Sequence, residues 1–471
     1  MKALLLLLMC GELSSSPAAE GTTGSRADWC RQEHGPNAES DFGMCSCKEG
    51  CVYKNGVCVP DTYGKGQKNR VNTGHIDAGA VVELSDAEKA VLAALRAHSQ
   101  TRSMPQEVSE ALKNLQQTQQ AALADLSRAR FVYMRMNPAA GLGNRLVAMV
   151  SGLYMAAATG RGFLVDWEAY DEPRTHRSKE VSTMAPMDHF FDLPFACDAA
   201  ALLHTVQLQR EFGWDFPHWR QLNDEVVTEM QTLLNDDLST AFPQRVVVIS
   251  AISYFGQLLL DNPRAAGRLA GLNVGRRPFM HAANYLLRPA SAIRSAVDVF
   301  YLKHMAGRHV VAVHLRTIEY MSPLEQRTAL RCAHFLAQGS ASSILIASDT
   351  AAGMQTAQDE LGEGFLRFQS TAPGRLGERA LADGWANIIL LSKAQALVAT
   401  SRSSYALLAA GLAGASAESR PLYDVYSTSC IKVVCTMPVL QRDHPLAKAL
   451  NYTLANAYNS SCLSRTLRVT V

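Results

Sequence analysis

Two doubly wound parallel α/β units in tandem are the fold this sequence predicts, on three observations. From Phe131 onward, short apolar strands alternate with longer segments whose apolar residues recur at helical spacing. The strands read as near-continuous apolar runs, as expected of sheets covered on both faces. The alternation occurs in two separate stretches, and 471 residues are too many for one ordinary core.

Each segment has its own signal. Residues 1–19 read as a secretory leader: Met1 and Lys2, an apolar run over 3–10, then the small residues Pro17, Ala18 and Ala19. That run is far shorter than the roughly 20 residues of a membrane span, so a lumenal or secreted chain is expected. Residues 20–62 form a Cys-rich module with Cys30, Cys45, Cys47, Cys51 and Cys58. Five more cysteines follow at Cys197, Cys332, Cys430, Cys435 and Cys462. In an oxidising compartment these are disulfide partners first. Each group is odd, so either one bridge joins them or two thiols stay free. Two glycosylation sequons, at Asn451 and Asn459, suit the same route.

Residues 63–128 read as a Gly- and Asn-rich linker followed by a helical stem broken at Pro105, a spacer or a surface for self-association. The first α/β unit covers 129–290 and the second 291–471, including a C-terminal tail. In the first, a strand over 131–136 leads through Gly141-Leu-Gly143-Asn144-Arg145 into a helix over 146–159 and a strand over 162–166. Further strands are expected at 245–250, 310–316, 343–348, 365–368 and 396–400. A net charge of +2 gives no general attraction to nucleic acid or anionic lipid, so any charged ligand is held locally.

Ligands of such sheets gather outside the carboxyl ends of the strands, beside helix N-termini. Four segments reach those places. The glycines Gly141 and Gly143 permit a sharp turn and a close backbone approach, ahead of a helix with free N–H groups. The strand at 310–316 ends in His314, Arg316 and, beyond Thr317, Glu319. A strand-end arginine suits a diphosphate, because its planar fork gives bidentate, charge-assisted hydrogen bonds; His314 is equally readable as a core histidine. Ser348 and Asp349 close a buried strand and open a helix, as a cap or as ligand contacts. Ser401, Arg402, Ser403, Ser404 and Tyr405 begin the last apolar helix, where hydroxyls and N–H groups form an anion cradle.

Taken in order, these motifs resemble a family. Gly-Leu-Gly-Asn-Arg-Leu, Leu-Val-Asp-Trp, Tyr254-Phe255 with Asn262-Pro263, Tyr285-Leu-Leu-Arg-Pro289 and the segment from Leu391 to Gly411 are similar to the xyloglucan fucosyltransferases of plants. More distantly, His314-x-Arg316 resembles the GDP-fucose-binding motif of α1,6- and protein O-fucosyltransferases. The resemblance spans about residues 130–440. It implies a GT-B fold, GDP-fucose as donor, a glycan acceptor, inversion at the anomeric carbon, no required metal, and an α1,2 linkage among the outcomes it allows. Carried over by position, Arg316 holds the β-phosphate, His314 the guanosine region, and Ser403 with Ser404 the pyrophosphate, with Tyr405 and Asp349 beside them. Gly141, Gly143, Asn144 and Arg145 line the cleft.

Three departures accompany the resemblance. Thr317 stands where a second basic residue is common, and His314 where xyloglucan enzymes have Gln. The acidic residue expected before Leu391-Ser392 is Asn387 or Gln395 here, leaving Asp383 as a substitute for guanine recognition. No D-x-D triplet is present, so Arg316 and helix dipoles are expected to neutralise the leaving diphosphate. Glu319, Asp166 and Asp349 are the acids within reach as general base. The rival readings are transfer of another nucleotide-linked sugar and a carbohydrate-binding protein that has lost catalysis.

Overall fold

The computed structural model describes residues 38–41, 44–47, 51–54, 57–60, 85–86, 90, 104–136, 140–167, 187–199, 212–215, 224–251, 254–275, 278–317, 322–338, 342–368, 378–400, 403–414, 420–426, 429–433 and 467–470. The leader, both sequons, Glu319, Ser401 and Arg402 lie outside them.

The chain divides into two compact units, residues 1–75 and 76–471. In the first, β1 (Ala38–Asp41) pairs antiparallel with β2 (Met44–Cys47), and β3 (Cys51–Lys54) with β4 (Val57–Pro60). The second unit holds both α/β sheets.

It opens with α1 (Gln106–Ala124), which begins directly after Pro105, whose fixed φ and missing N–H suit a helix start. The segment read from sequence as a spacer is built into the fold. Val108, Leu112, Leu115 and Gln119 are buried. The Gln119 amide donates to the Ala196 carbonyl at 2.6 Å and its oxygen accepts from the Phe163 N–H at 2.6 Å. The buried residues of this helix are thus covered within the chain.

The first sheet follows. Strand β5 (Phe131–Met136) leads through α2 (Leu142–Thr159) to β6 (Gly162–Asp166). Then come β7 (Phe212–Asp215), α3 (Asp224–Asn235), α4 (Leu238–Ala241) and β8 (Val246–Ala251). The order is β6-β5-β8-β7, all parallel. Buried Val132, Met134, Phe163, Val165, Val247 and Ile249 belong to the cluster that includes α2, while Phe131, Tyr133, Leu164, Val246 and Val248 form a separate one, as the period of two requires. Arg161, ahead of β6, is 1% exposed and donates to the carbonyls of Phe242, Gln244 and Arg245; burial draws its pKa down to about 10, so it stays charged at neutral pH.

Helices α5 (Gly256–Leu260), α6 (Ala266–Leu269), α7 (Pro278–Leu286) and α8 (Ser291–His304) lead to the second sheet. It contains β9 (His309–Leu315), α9 (Pro323–Leu336), β10 (Ser342–Ser348), α10 (Ala351–Leu361), α11 (Glu378–Lys393), β11 (Ala396–Thr400), α12 (Ser404–Ala413), β12 (Leu422–Tyr426), β13 (Ser429–Val433) and β14 (Leu467–Thr470). The order is β10-β9-β11-β12-β13-β14. The first four strands are parallel, and β13 pairs antiparallel with both β12 and β14; only two residues lie between β12 and β13 in sequence, too few for a crossover helix. The segment expected as a strand at 365–368 makes a single bridge, Leu366 to Leu345.

Cys332 on α9 and Cys430 on β13 form a disulfide across 98 residues of sequence. Cys197 is a buried free thiol whose pKa is pushed up to about 12, first by burial and then by Asp198, so it is chemically quiet. A closed loop of this length removes on the order of 4–5 kcal/mol of unfolded-chain entropy. A Cys332→Ala/Cys430→Ala variant is therefore expected to melt well below wild type; equal melting temperatures would show that the bridge does not constrain the chain.

One apolar cluster runs without a break from the first sheet through α2, α7, α11 and α12 to Val310, Ala312 and Leu345 of the second. Among the described residues no helix is long and apolar enough to cross a membrane.

Candidate active site

The strand orders locate the site before any side chain is considered. In the first sheet the chain passes from β5 to β6 on one side and reaches β8 on the other. In the second it passes from β9 to β10 on one side and reaches β11 on the other. Ligands of doubly wound sheets bind outside the carboxyl ends of strands at such reversals. At the first reversal the loop after β5 opens α2; at the second the loop after β11 opens α12.

Those two helix starts touch. A Cβ added to Gly143, in the first turn of α2, would lie 2.6 Å from the Tyr405 nitrogen and 2.8 Å from the Ser404 carbonyl carbon. Only the missing side chain lets the two backbones approach so closely. Neither glycine of the motif uses a left-handed conformation: Gly141 has φ −63°, and Gly143 is helical. Gly141 is exposed, with nothing within 4 Å of an added Cβ. The two positions, alike in sequence, thus differ in what they require. Helix α2 has no side-chain cap, whereas Ser403 caps α12 by accepting from the Ala406 N–H at 3.4 Å. Two N-terminal half-charges of like sign therefore converge, an arrangement that favours an anion between them.

His314 and Arg316 approach from β9. His314 pairs in register with Ala347 of β10 and Ala399 of β11, at the carboxyl ends of three adjacent strands. It is 4% exposed, stacks on Tyr405 with centroids 4.5 Å apart, and shares a 3.0 Å hydrogen bond between Nδ1 and Ser403 Oγ. It is a packed histidine and a member of the site at once. Arg316, one residue past the strand, is half-buried. Behind it the Asp349 carboxylate accepts from the Thr317 N–H at 2.8 Å and from Thr317 Oγ1 at 2.9 Å. The cap of α10 is Thr350, accepting from the Gly353 N–H at 3.0 Å, and its hydroxyl also bonds Thr317. Asp349 therefore ties down the residue after Arg316, a use that its place in the sequence did not reveal.

Helix α11 closes the site. The Tyr405 hydroxyl donates to the Gly384 carbonyl at 2.6 Å; burial raises its pKa, helped by the charges of Asp383 and Asp349. Asp383 is 7% exposed and adjacent to that carbonyl in sequence. Asn387 donates to the Asp383 carbonyl at 3.0 Å, and Gln395 accepts from the Val310 N–H at 2.7 Å, so both alternatives for the expected acid have backbone partners. Asn144 and Ser404 are half-buried on the two touching first turns. Arg145 is 5% exposed, donates from Nε to the Ala140 carbonyl at 2.9 Å, and lies over the Trp167 ring at 5.7 Å. It braces the turn that holds Gly141. Trp167 continues through Phe191 to Trp385 of α11, an aromatic link between the halves that the sequence did not signal.

A groove of about 470 Å³ between α1 and the end of α2, lined by Glu107, Asn114, Gly160 and Arg268, lies at the opposite end of α2 and contributes nothing to these strand ends. Among the described residues no group of three His, Cys, Asp or Glu side chains is placed to hold a metal ion.

No protein-family model matches the chain, and no curated protein matches it by sequence. Solved structures do. A mutant of Arabidopsis thaliana FUT1 in complex with GDP aligns with a TM-score of 0.51 at 16% identity, over 70% of this chain and 83% of that one. The NodZ α-1,6-fucosyltransferase soaked with GDP-fucose, an enzyme solved from Bradyrhizobium, aligns at 0.41 and 18%, over 63% and 94%. POFUT1 in complex with GDP aligns at 0.36 and 15%, over 64% and 98%. The first of these likenesses, with the two sheets described above, identifies the fold as GT-B.

Proposed function

We propose that this protein is an inverting fucosyltransferase that moves fucose from GDP-fucose to a hydroxyl of a polysaccharide or glycoprotein glycan in the secretory lumen, the Golgi included, or outside the cell. The observation that carries the reading is the backbone contact of Gly143 with Ser404–Tyr405, which joins two helix N-termini beside His314, two residues before Arg316 in the chain. Such a place suits a diphosphate. The shared fold is also that of a protein solved with GDP bound.

In this reading the acceptor oxygen attacks the anomeric carbon from the face opposite GDP. The bond from that carbon to the β-phosphate oxygen breaks, its electron pair stays on GDP, and the acceptor's proton passes to a base or to solvent. Arg316 and the helix N–H groups neutralise charge as it grows on the diphosphate, which stabilises the transition state more than the ground state. No metal is included: Arg316 takes that part, and EDTA is expected to leave turnover unchanged.

GDP is expected to raise the melting temperature by several degrees where UDP and ADP do not, since a ligand at about a hundred times its Kd adds roughly 2.7 kcal/mol to stability. A shift with UDP and none with GDP would assign another donor. Binding of neither, with glycans still bound, would favour a carbohydrate-binding protein.

A further inference from the structure

Sheet one carries a polar feature that the donor reading leaves unused. At the carboxyl end of its strands, Asp166 of β6 pairs in register with Arg135 of β5, and Arg135 with Ser250 of β8. Paired residues of a parallel ladder share a face, and alternation puts these three on the face of Tyr133, Leu164 and Val248, away from α2. Each is half-buried, the first break in an otherwise apolar surface. The Tyr133 hydroxyl, on a residue 1% exposed, donates to Asp166 Oδ2 at 2.7 Å and fixes the carboxylate from below.

Position adds a second argument. Strand β5, the Gly141-Leu-Gly143 turn, α2 and β6 make one β-α-β unit with an acid at the end of its second strand. In dinucleotide-binding sheets an acid so placed, about 20 residues past the glycines, accepts a hydrogen bond from the ribose 2′-hydroxyl; a carboxylate has the acceptor capacity for a neighbouring hydroxyl as well. Asp166 follows the glycines by a comparable distance. It is also joined to the proposed donor site: its neighbour Trp167 lies under the Arg145 guanidinium, in the same helical turn as Gly143. With the nucleotide assigned to the other sheet, the sugar for which this acid is suited is that of the acceptor.

We infer that Asp166, flanked by Arg135 and Ser250, binds a vicinal diol of the acceptor pyranose. This inference rests on the fucosyltransferase reading, and its test separates the two. The full chain, with GDP present, is titrated with methyl galactopyranoside, methyl glucopyranoside and methyl mannopyranoside, and with their deoxy analogues lacking one hydroxyl of the diol. At least one glycoside is expected to bind, and Asp166→Asn to weaken it about tenfold or more, the scale of a hydrogen bond to a charged group. GDP affinity should stay within about twofold of wild type. The matching deoxy analogue should bind wild type as poorly as the parent binds Asp166→Asn, and should lose little more on the variant. Tyr133→Phe, which keeps the carboxylate, is expected to melt lower yet hold the glycoside within about threefold.

Weakened GDP binding in Asp166→Asn would place the carboxylate on the nucleotide ribose and overturn the assignment, as would binding of none of the three glycosides. Additive losses for variant and deoxy analogue would also overturn it, leaving Asp166 as Tyr133's structural partner. Failure of the wild-type chain to bind GDP would instead sink the donor reading.

Discussion

Arg316→Lys is expected to lose on the order of a hundredfold or more in turnover while melting like wild type. The leaving diphosphate gains negative charge as the glycosidic bond breaks, so a donor that tightens on it then lowers the barrier selectively. Lysine keeps the charge but offers a point ammonium in place of a planar fork. The surroundings of Arg316 argue that its placement is fixed in advance: the Asp349 carboxylate holds both the N–H and the hydroxyl of Thr317, the next residue. The competing explanation is a structural ion pair, which would lower stability and turnover together. Turnover within about threefold of wild type at an unchanged melting temperature would refute the phosphate role.

Gly143→Ala is expected to be severe, and Gly141→Ala mild. On helix propensity alone, alanine at position 143 would stabilise α2 by nearly 1 kcal/mol. The opposite sign is expected, because the new methyl would meet the backbone of Ser404 and Tyr405 and not the end of a flexible side chain. Overpacking typically costs about 1–3 kcal/mol, and relieving it here means parting α2 from α12. Both the melting temperature and the GDP-induced shift should fall in Gly143→Ala. Gly141 is exposed, has φ −63° and has open space around an added Cβ, so its alanine variant should retain both. Equal behaviour of the two variants would mean that the contact between the helix starts is not what positions the site.

Much of the fold was legible because the strands are buried on both faces. The apolar runs at 131–136, 162–166 and 396–400 coincide with β5, β6 and β11 to the residue. Strand β7 was missed: Phe212–Asp215 has four residues, one of them glycine, and no period to detect. In the helix at 106–124, amphipathic spacing says that there is an apolar face but not what covers it; Gln119, polar in sequence, is 1% exposed and binds two backbone groups. Of the candidate site residues, the fold brings Gly143, His314, Ser403 and Tyr405 together, and the sequence marks them by glycines and polar residues at strand ends. It could not reach the order of strands, and only that order puts the loops after β5 and β11 at chain reversals. Nor could it distinguish Gly141 from Gly143, whose difference lies in a partner about 260 residues away in sequence.

That separation also bears on how the chain is made. Of the 18 residues of α2, 15 are buried, and their cover includes α12 near the far end of the chain. At roughly 5–20 residues per second, the approximately 250 residues between α2 and the end of α12 take tens of seconds to synthesise. Throughout that interval the first sheet can form while an apolar helix flank stays exposed to solvent. The long delay between making α2 and covering it is a window in which a folding helper has something to hold. It is also a reason why the first α/β half, expressed alone, would offer a sticky face where the whole protein has an interior.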